Sequence, residues 1–209
     1  MLYLVKFTLI AVFFVNVNLT TAASSASQEL DLDKITIKPL KTVDPAIFID
    51  FFVETFLEAY KPFSLEVLGK TAYEGKGGKK NWLTETAEGE IEEARKAPKS
   101  AHHLLFYDGE KLVAYMSIHV SPDGTVAYLG QGCIEPAFWG KGGVSHAIDK
   151  VVPQYAPKAM QYTLLVRVLN GRAIAAYKKL GFSPDKTGEL VIQHDYPKEH
   201  YLGMVKDIK

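Results

Sequence analysis

The sequence contains almost no cysteine, because Cys133 is the single thiol among its 209 residues. One thiol cannot form an intramolecular disulfide, and it cannot supply the several thiolates of a structural zinc site. Stability must therefore come from a packed core. The composition suits one compact domain, since 47% of the residues are hydrophobic and 23% are charged.

The sequence also lacks an excess of charge of either sign. Its 24 Lys and Arg residues balance its 24 Asp and Glu residues. A chain without net charge has no global field to attract nucleic acid or an anionic membrane. We therefore expect no nucleic-acid partner, and we expect any polyanionic ligand to be held by a local site.

The apolar run near the N-terminus is short. It covers residues 7–15, is broken only by Thr8, and follows Lys6. A membrane-spanning helix needs roughly 17 to 25 residues, so this run does not suit one. A basic residue, a short apolar run and then small polar residues are typical of a secretory signal peptide, and Thr21 and Ala23 suit the positions before its cleavage site.

This pattern predicts a signal peptide over 1–23, a linker over 24–33 and one folded domain over 34–209. The mature protein would be exported, periplasmic or secreted, without stable membrane anchoring. The alternatives are an uncleaved anchor and a leader that is never exported, which would leave the protein in the cytoplasm. The N-terminus of the protein recovered from fractionated cells separates them, because Met1 in the cytosolic fraction excludes export.

The first half of the remaining chain predicts one strand followed by helices. Residues 34–40 alternate in polarity, which is typical of a short edge strand. Asp44 and Pro45 are a helix cap and a first-turn proline before a run of apolar residues with helical spacing. Residues 64–73 could form a second helix. Residues 84–96 predict a solvated helix that ends before Pro98.

The second half predicts mostly strands. Asp108-Gly109 and Asp123-Gly124 are hairpin turns, so they predict three antiparallel strands. A helix follows from Val144 to Pro153, then a strand over 162–168 and a helix from Asn170 to Leu180. The sequences "ELVIQHD" and "HYLGMVKDI" predict two last strands.

Two copies of the tetrapeptide GKGG, at 75–78 and 140–143, raise the question of a phosphate site. A glycine-rich segment binds phosphate where it joins a strand to a helix, because backbone N–H groups and the positive helix end converge there. The second copy has this context, and the first does not. We predict a phosphate site at the second copy. At the first copy (75–80) we predict a mobile basic loop tip, with contacts to substrate as the alternative.

A longer motif follows the second copy. The pattern N-x-x-A-x-x-x-Y-x-K-x-G-F is met at Asn170, Ala173, Tyr177, Lys179, Gly181 and Phe182. Together with "IEPAFWGKGGVSHAI", this motif resembles the GNAT superfamily of N-acetyltransferases over about residues 35–208. The resemblance implies the acyl-CoA N-acyltransferase fold, an α+β (α/β three-layer) domain. Its mixed, mostly antiparallel central sheet would have about six to seven strands flanked by helices.

The resemblance implies transfer of an acetyl group from acetyl-CoA to an amine by direct attack in a ternary complex, without a metal. The acceptor would be an amine-bearing small molecule or peptide. Backbone N–H groups of the loop would bind the pyrophosphate, and this loop comprises Trp139, Gly140, Lys141, Gly142, Gly143 and Val144. In this loop, Trp139 stands where the family usually has Gln or Arg, and Val144 stands where it usually has Gly or Ala.

Pantetheine would run beside the preceding strand like an extra strand, bound by main-chain groups near Cys133 and Ile134. Gly130 and Gly132 in that strand either leave room for the ligand, on one face with Tyr128, or mark a β-bulge. The Cys133 thiol is not expected to carry the acyl group. Direct transfer needs no carrier, and a lone strand cysteine is usually buried and inert.

Two residues of the longer motif carry implied roles. Tyr177 would protonate the leaving thiolate, and its alternative role is core packing. Asn170 would contact pantetheine, and its alternative role is a helix N-cap. The base that takes the amine proton is not identified, because the position where some family members carry a glutamate holds Tyr128. His119, Asp123 and Glu135 are near it in the sequence.

Another function remains open at this stage. An exported GNAT-fold module without catalysis could bind acyl-CoA or a partner protein, and an unrelated α+β domain is a third possibility. Intact Asn170 and Tyr177 favour the enzyme, whereas the altered loop and the missing glutamate favour the inactive module. Export conflicts with a cytosolic donor. Either the protein reaches another compartment that contains acetyl-CoA, or export fails, or the donor differs.

Overall fold

The computed structural model describes residues 31–64, 68, 77–96, 99–194 and 199–208. The predicted signal peptide (1–23) lies outside the described residues, and so do most of the predicted linker and most of the predicted helix at 64–73. In the part of the chain that is described, no helix combines the length and the apolar character needed to cross a membrane.

A seven-stranded sheet forms the centre of the domain, in the order β1-β2-β3-β4-β5-β7-β6. Neighbouring strands are antiparallel except for β4 and β5, which are parallel. This mixed, mostly antiparallel sheet flanked by helices confirms the predicted fold class. The strands are β1 (Ile35–Pro39), β2 (Ala101–Asp108), β3 (Lys111–Val120), β4 (Val126–Ile134), β5 (Gln161–Arg167), β6 (Ser183–Pro184) and β7 (Tyr201–Asp207).

The two predicted hairpin turns join β2 to β3 and β3 to β4. Gly124 has φ +80°, a left-handed conformation that favours glycine. Beside it, the Asp123 carboxylate accepts hydrogen bonds from the Ser121 and Thr125 hydroxyls and from the Thr125 N–H. These donors lower the pKa of Asp123 to about 2. Local turn chemistry therefore fixes the three-stranded meander, as predicted.

Helices cover both faces of the sheet. On one face, α1 and α2 enclose a core that includes Tyr115, Tyr128 and Cys133. On the other face, the helical segment 143–155 and α5 enclose a second core that includes Leu129 and Ile134. The helices are α1 (Pro45–Tyr60), α2 (Gly78–Lys96), α3 (Gly143–His146), α4 (Val152–Tyr155), α5 (Gly171–Lys179) and α6 (Glu189–Gln193). A π-helical turn (Ala147–Val151) connects α3 to α4.

The helix α1 begins and packs as its sequence predicts. The Asp44 side chain accepts a hydrogen bond from the Ala46 N–H at 2.9 Å, and Pro45 occupies the first turn. Phe48, Phe52 and other side chains at helical spacing are buried against the sheet. Burial of these rings supplies most of the helix's stabilisation, since isolated helices of this length are marginal in water.

Three predictions about helices and strands are wrong in detail. The helix α2 begins at Gly78 rather than Thr84, and it is not a solvated helix, because Trp82, Leu83 and Glu90 are buried. An apolar stripe lies between its acidic residues and packs against α1 and the sheet. The helix after Gly143 also continues past Pro153 to Tyr155. The turn before Pro153 is π-helical, so the backbone hydrogen-bonding pattern changes at the point where proline has no N–H to donate.

The predicted strand "ELVIQHD" is wrong, because Glu189–Gln193 form the helix α6. The Asp185 carboxylate accepts hydrogen bonds from the N–H groups of Thr187 and Leu190, which favours a helical turn here. The edge of the sheet is formed instead by β6, which pairs with β7. The other predicted late strand, β7, is confirmed.

Candidate functional site

The strands β4 and β5 separate from each other halfway along their length. Their parallel pairing runs from Val126 and Gln161 only as far as Leu129 and Leu164. Beyond that pair, β4 continues along β3 to Ile134, and β5 continues along β7 to Arg167. The edge of β4 at 130–134 therefore faces an opening. An extended ligand can add to such an edge through main-chain hydrogen bonds.

A β-bulge lies where the opening starts. Met116 pairs with Gly132 while Ile118 pairs with Leu129, so β4 contains one extra residue here. Tyr128 and Cys133 consequently pack in the same core although they are five positions apart. Gly130 and Gly132 were predicted either to leave room for a ligand or to mark a β-bulge, and the structure has the bulge. Gly132 therefore does not share a face with Tyr128.

The bulge contains a buried side-chain amide. Gln131 is fully buried, and neither its Oε1 nor its Nε2 finds a hydrogen-bond partner among the described residues. An unsatisfied buried polar group costs about 1 to 3 kcal/mol. A ligand that carries amide groups, as pantetheine does, would offset this cost, so the donor and acceptor chemistry of the opening fits such a ligand.

The second GKGG segment lies directly after β4. The Trp139 indole Nε1 donates a hydrogen bond to the Ile134 carbonyl at 2.8 Å, which ties the loop to the end of the strand. Gly140 and Gly142 have φ +77° and +81°, and Gly143 begins α3. The loop from Trp139 through Lys141 to Val144 thus turns sharply twice before the helix begins.

This strand, loop and helix arrangement suits a phosphate. The first N–H groups of a helix have no acceptor within the helix, and the helix dipole is positive at that end. A left-handed glycine at the cap can turn a backbone N–H in a direction that an L-residue rarely allows. The structure therefore places the predicted phosphate loop where a ligand lying along β4 would extend beyond the sheet.

The first GKGG segment has a different setting. Gly75 and Lys76 lie outside the described residues, whereas Gly77 and Gly78 have φ +85° and +80° and lead into α2. The described residues immediately after them are helical, and the nearby Lys79 Nζ donates to the Tyr60 carbonyl at 2.9 Å. The last glycine of this copy, Gly78, begins the helix α2, which packs on α1. The predicted loop tip at 75–80 is therefore wrong for residues 78–80.

Asn170 and Tyr177 occupy the start and the inner face of α5. The Asn170 Oδ1 accepts a hydrogen bond from the Ala173 N–H at 3.1 Å, so Asn170 does act as the N-cap. Its Nδ2 is buried and has no hydrogen-bond partner within the described part of the chain. One end of the amide thus holds the helix, and the other is available to a ligand.

Tyr177 is fully buried, and its ring packs edge-on against Phe182 at a centroid distance of 5.5 Å. Burial raises the pKa of the Tyr177 phenol well above its ordinary value, and the nearby Tyr128 phenol adds to this effect. The phenol is therefore protonated at neutral pH. It packs in the core and also has the protonation state that a proton donor requires.

Cys133 is unsuited to nucleophilic chemistry. Its thiol is buried among aromatic side chains, and burial raises its pKa well above the ordinary value. A thiol in this environment is protonated and unreactive at neutral pH. The backbone of Cys133 pairs with Tyr115 of β3, and the Ile134 carbonyl accepts a hydrogen bond from the Trp139 indole.

A cluster of carboxylate and imidazole groups under α2 was missed by the sequence analysis. The His103 Nδ1 lies 2.8 Å from the Tyr115 hydroxyl, which donates to the Glu90 carboxylate. Because the Tyr115 proton goes to Glu90, its oxygen accepts from His103 Nδ1, and that nitrogen carries the proton. The His102-His103 pair in a strand and Glu90 and Glu93 three positions apart were the only local signals.

Three donors in this cluster lie near enough together to suggest a metal site, namely Glu90, Glu93 and His103, whose ligand atoms are within 4.8 Å of one another. However, Glu90 lies 3.2 Å from His103 Nδ1, and Glu93 lies 3.5 Å from Nε2. The two carboxylates therefore contact opposite edges of one ring. Each carboxylate contacts a different nitrogen of the ring, and the Tyr115 hydroxyl donates to Glu90, so the cluster is a proton-bearing network.

The chain is similar to known acetyltransferases in sequence and in fold. The sequence profile described as the acetyltransferase (GNAT) family matches residues 65–182, which is more than half of the chain. No curated protein matches the sequence. Many solved structures share the fold at low identity. One is a paia N-acetyltransferase from Thermoplasma acidophilum in complex with coenzyme A, with TM-score 0.61, 16% identity and coverage of 83% of this chain and 99% of that chain.

The second is a chimeric spermidine N-acetyltransferase from Vibrio cholerae, with TM-score 0.54, 14% identity and coverage of 83% of this chain and 95% of that chain. The third, from Salmonella typhimurium, is an acetyltransferase that modifies the N-terminal serine of a ribosomal subunit protein. It has TM-score 0.55, 16% identity and coverage of 84% of this chain and 96% of that chain.

Proposed function

The chain belongs to the acetyltransferase (GNAT) family, and from this premise we propose that it transfers an acetyl group from acetyl-CoA to an amine by direct attack in a ternary complex. The observation that carries the proposal is the opening between β4 and β5, which leads to the glycine-rich loop at the start of α3. The opening and the loop together match the shape of an extended thioester with a pyrophosphate at one end.

The main chain does most of the donor binding. The edge of β4 beside Cys133 and Ile134 bonds to the pantetheine arm as an added strand would. The N–H groups at the helix end of the loop, from Gly142 to Val144, bind the pyrophosphate, whereas the N–H groups of Trp139 and Lys141 donate to the Pro136 and Phe138 carbonyls. Trp139 holds this loop by bonding to Ile134, so it supports the loop in a way that does not need the family's Gln or Arg.

The chemistry needs one proton donor and one proton acceptor. The amine nitrogen forms the new C–N bond, and the C–S bond breaks. The leaving sulfur takes a proton from the Tyr177 hydroxyl, whose burial keeps it protonated until then. No acyl-enzyme step is needed, which agrees with the buried, protonated state of the Cys133 thiol.

The acceptor class is an amine on a small molecule or a peptide. The similar proteins described above include a spermidine N-acetyltransferase and an enzyme that modifies an N-terminal serine. We take spermidine and a peptide with an N-terminal serine as the first two acceptor probes. An inactive acyl-CoA-binding module is the other candidate, and it predicts binding of acetyl-CoA without turnover of any amine.

Isothermal titration of acetyl-CoA into the chain tests the proposal. We expect one site per chain with a Kd between about 1 µM and 1 mM, the usual range for enzyme substrates. No binding at millimolar acetyl-CoA, with the chain shown to be folded by circular dichroism, overturns both coenzyme A hypotheses.

A pair of matched glycine variants localises the binding. Gly142 and Gly124 have almost the same left-handed conformation, with φ +81° and +80°, so alanine strains both turns equally. We expect Gly142→Ala to weaken acetyl-CoA binding about tenfold, because the loop N–H groups shift. Gly124→Ala serves as the control and should bind as the unaltered chain does. Equal affinities for both variants place the pyrophosphate elsewhere.

Asn170 variants separate its two roles. Aspartate caps helices as well as asparagine does, so Asn170→Asp keeps the acceptor for the Ala173 N–H but removes the Nδ2 donor. We expect Asn170→Asp to keep the helix cap yet to bind acetyl-CoA more weakly, measured by titration of the folded variant. Asn170→Ala removes the cap too and should lose about 1 kcal/mol of stability. Unchanged affinity in both variants, measured by titration, leaves Asn170 with the cap role alone.

A further inference from the structure

His119 lies one strand away from the start of the β4–β5 opening. It pairs with Tyr128 of β4, which pairs with Thr163 of β5. The next pair of residues, Leu129 and Leu164, is the last before the strands separate. The His119 ring is 6.1 Å from the Tyr128 ring, measured between centroids, and its side chain is 20% exposed. A group bound at the start of the opening would therefore approach the His119 imidazole across β4, past the Tyr128 ring.

Glu93 joins this histidine to the buried cluster under α2. Its Oε1 lies 3.5 Å from the His119 Nδ1, and its Oε2 lies 3.5 Å from the His103 Nε2. Neither distance is that of a strong hydrogen bond, and Oε1 has no hydrogen-bond partner among the described residues. The fold therefore buries a carboxylate between two imidazoles without satisfying it fully. Such long contacts are common in proton-transfer sites before substrate binds.

We propose that the Glu93 carboxylate is the acceptor for the proton of the attacking amine, and that the neutral imidazole of His119 carries the proton to it. This proposal rests on the proposed acetyl transfer. His119 receives the proton on Nε2 and at the same time gives its Nδ1 proton to Glu93. The imidazole changes tautomer and never becomes a cation.

The pKa values of Glu93 and His119 suit these two roles. Burial, helped by Glu90, raises the pKa of Glu93 to about 7, against the opposing effect of His103 and Lys96. Burial lowers the pKa of His119 to about 3, and the neighbouring His103, His194 and His102 lower it further. His119 therefore stays neutral, and Glu93 is a carboxylate above about pH 7. A base is most effective when its pKa lies near the working pH.

The protons balance over one turnover. The amine loses one proton, which ends on Glu93, and the sulfur gains one proton, which comes from Tyr177. Before the next turnover the relay runs in reverse: Glu93 returns its proton to the His119 Nδ1, and His119 releases its Nε2 proton to solvent, which restores the starting tautomer. The Tyr177 phenolate takes up a proton after the products leave.

His103, Tyr115 and Glu90 hold the acceptor in place. The Tyr115 hydroxyl holds the His103 ring through Nδ1, which places the Nε2 edge of the ring beside Glu93. These three side chains act through Glu93 and do not touch substrate, so they are positioning residues.

The pH dependence of acetyl transfer to spermidine tests the proposal. For the unaltered chain, we expect kcat/KM to rise with pH and level off above an apparent pKa of about 7, since Glu93 must be ionised. Glu93→Gln should lower kcat about 100-fold and abolish this rise, with the KM for acetyl-CoA unchanged. His119→Gln should lower kcat to a similar extent. A wild-type pH profile in Glu93→Gln overturns the proposal.

Glu92→Gln is the matched control, because Glu92 is the adjacent residue and is exposed in an ion pair with Lys96. It should retain the activity and the pH profile of the unaltered chain. A similar loss of activity in this variant would mean that the helix α2 itself is perturbed, which contradicts a specific role for Glu93.

Carbon-13 NMR of labelled glutamate carboxyl groups gives a test that needs no acceptor. One carboxyl resonance should titrate near pH 7 and be missing from Glu93→Gln. If every glutamate titrates below about pH 5.5, the proposal is wrong, and this result decides it even if spermidine is not acetylated. Failure of acetyl-CoA binding overturns the proposed function instead, so the two failures are distinguishable.

Discussion

Replacing Tyr177 with phenylalanine is expected to lower kcat about 1000-fold while leaving the affinity for acetyl-CoA unchanged. The substitution removes only the hydroxyl from a ring that is fully buried beside Phe182, so the packing of α5 is kept. A thiolate that leaves without a proton donor loses the contribution of general acid catalysis, about 100-fold to 10,000-fold. The loop at 139–144 and the β4 edge, where we propose that acetyl-CoA binds, are untouched, so we expect binding to persist.

Tyr162→Phe is the control for this experiment. Tyr162 is a buried tyrosine of the same core, but it lies in the closed part of the sheet, where β5 pairs with Ala127 of β4. Single-turnover rates and acetyl-CoA titrations of both variants should show a loss of rate in Tyr177→Phe alone. Full activity in Tyr177→Phe assigns the residue to core packing. An unaltered chain that binds acetyl-CoA but acetylates no amine favours the inactive module.

The sequence predicted the features that depend on neighbours in the chain. Asp123-Gly124 set a turn, Asn170 capped a helix, and the second GKGG was assigned from the strand before it and the helix after it. Each signal consists of residues within about ten positions, where turn and cap chemistry is decided. The hydrogen bond from the Trp139 indole to the Ile134 carbonyl could not be predicted, because the sequence shows only that Trp139 departs from the family pattern.

The sequence did not predict features that depend on distant contacts. Glu93 on α2 meets His119 on β3 only because the sheet stacks β2 and β3 under that helix. A helix rich in glutamate normally predicts a solvated face, and burial of Glu90 and Glu93 shows in no local pattern. The strand predicted at "ELVIQHD" failed for a related reason, since a short apolar run suits a strand or a helix equally. The Asp185 hydrogen bonds favour the helix.

The second large expected effect is a loss of stability when a buried ring is removed from α1. Phe52 is fully buried between Phe48 and Phe56, and its ring centroid is 6.1 Å from that of Tyr115. Phe52→Ala removes a ring from a close-packed interior, and such changes cost about 3 to 5 kcal/mol. We expect the free energy of unfolding, measured in urea, to fall by that amount. Ile47→Ala on the same helix is the control and should change stability by less than about 0.5 kcal/mol, because Ile47 is 53% exposed.

Acetyl-CoA should restore part of the stability that Phe52→Ala loses. A ligand that binds only the folded chain stabilises it by about 2.7 kcal/mol at 100 times its Kd. Phe52 packs on the face of the sheet covered by α1 and α2, whereas the loop at 139–144 leads into a helix on the other face. The variant should therefore keep the acetyl-CoA affinity of the unaltered chain and gain the same increment. A smaller increment in Phe52→Ala would show that α1 packing also shapes the opening beside β4, through Tyr115 and its pairing with Cys133.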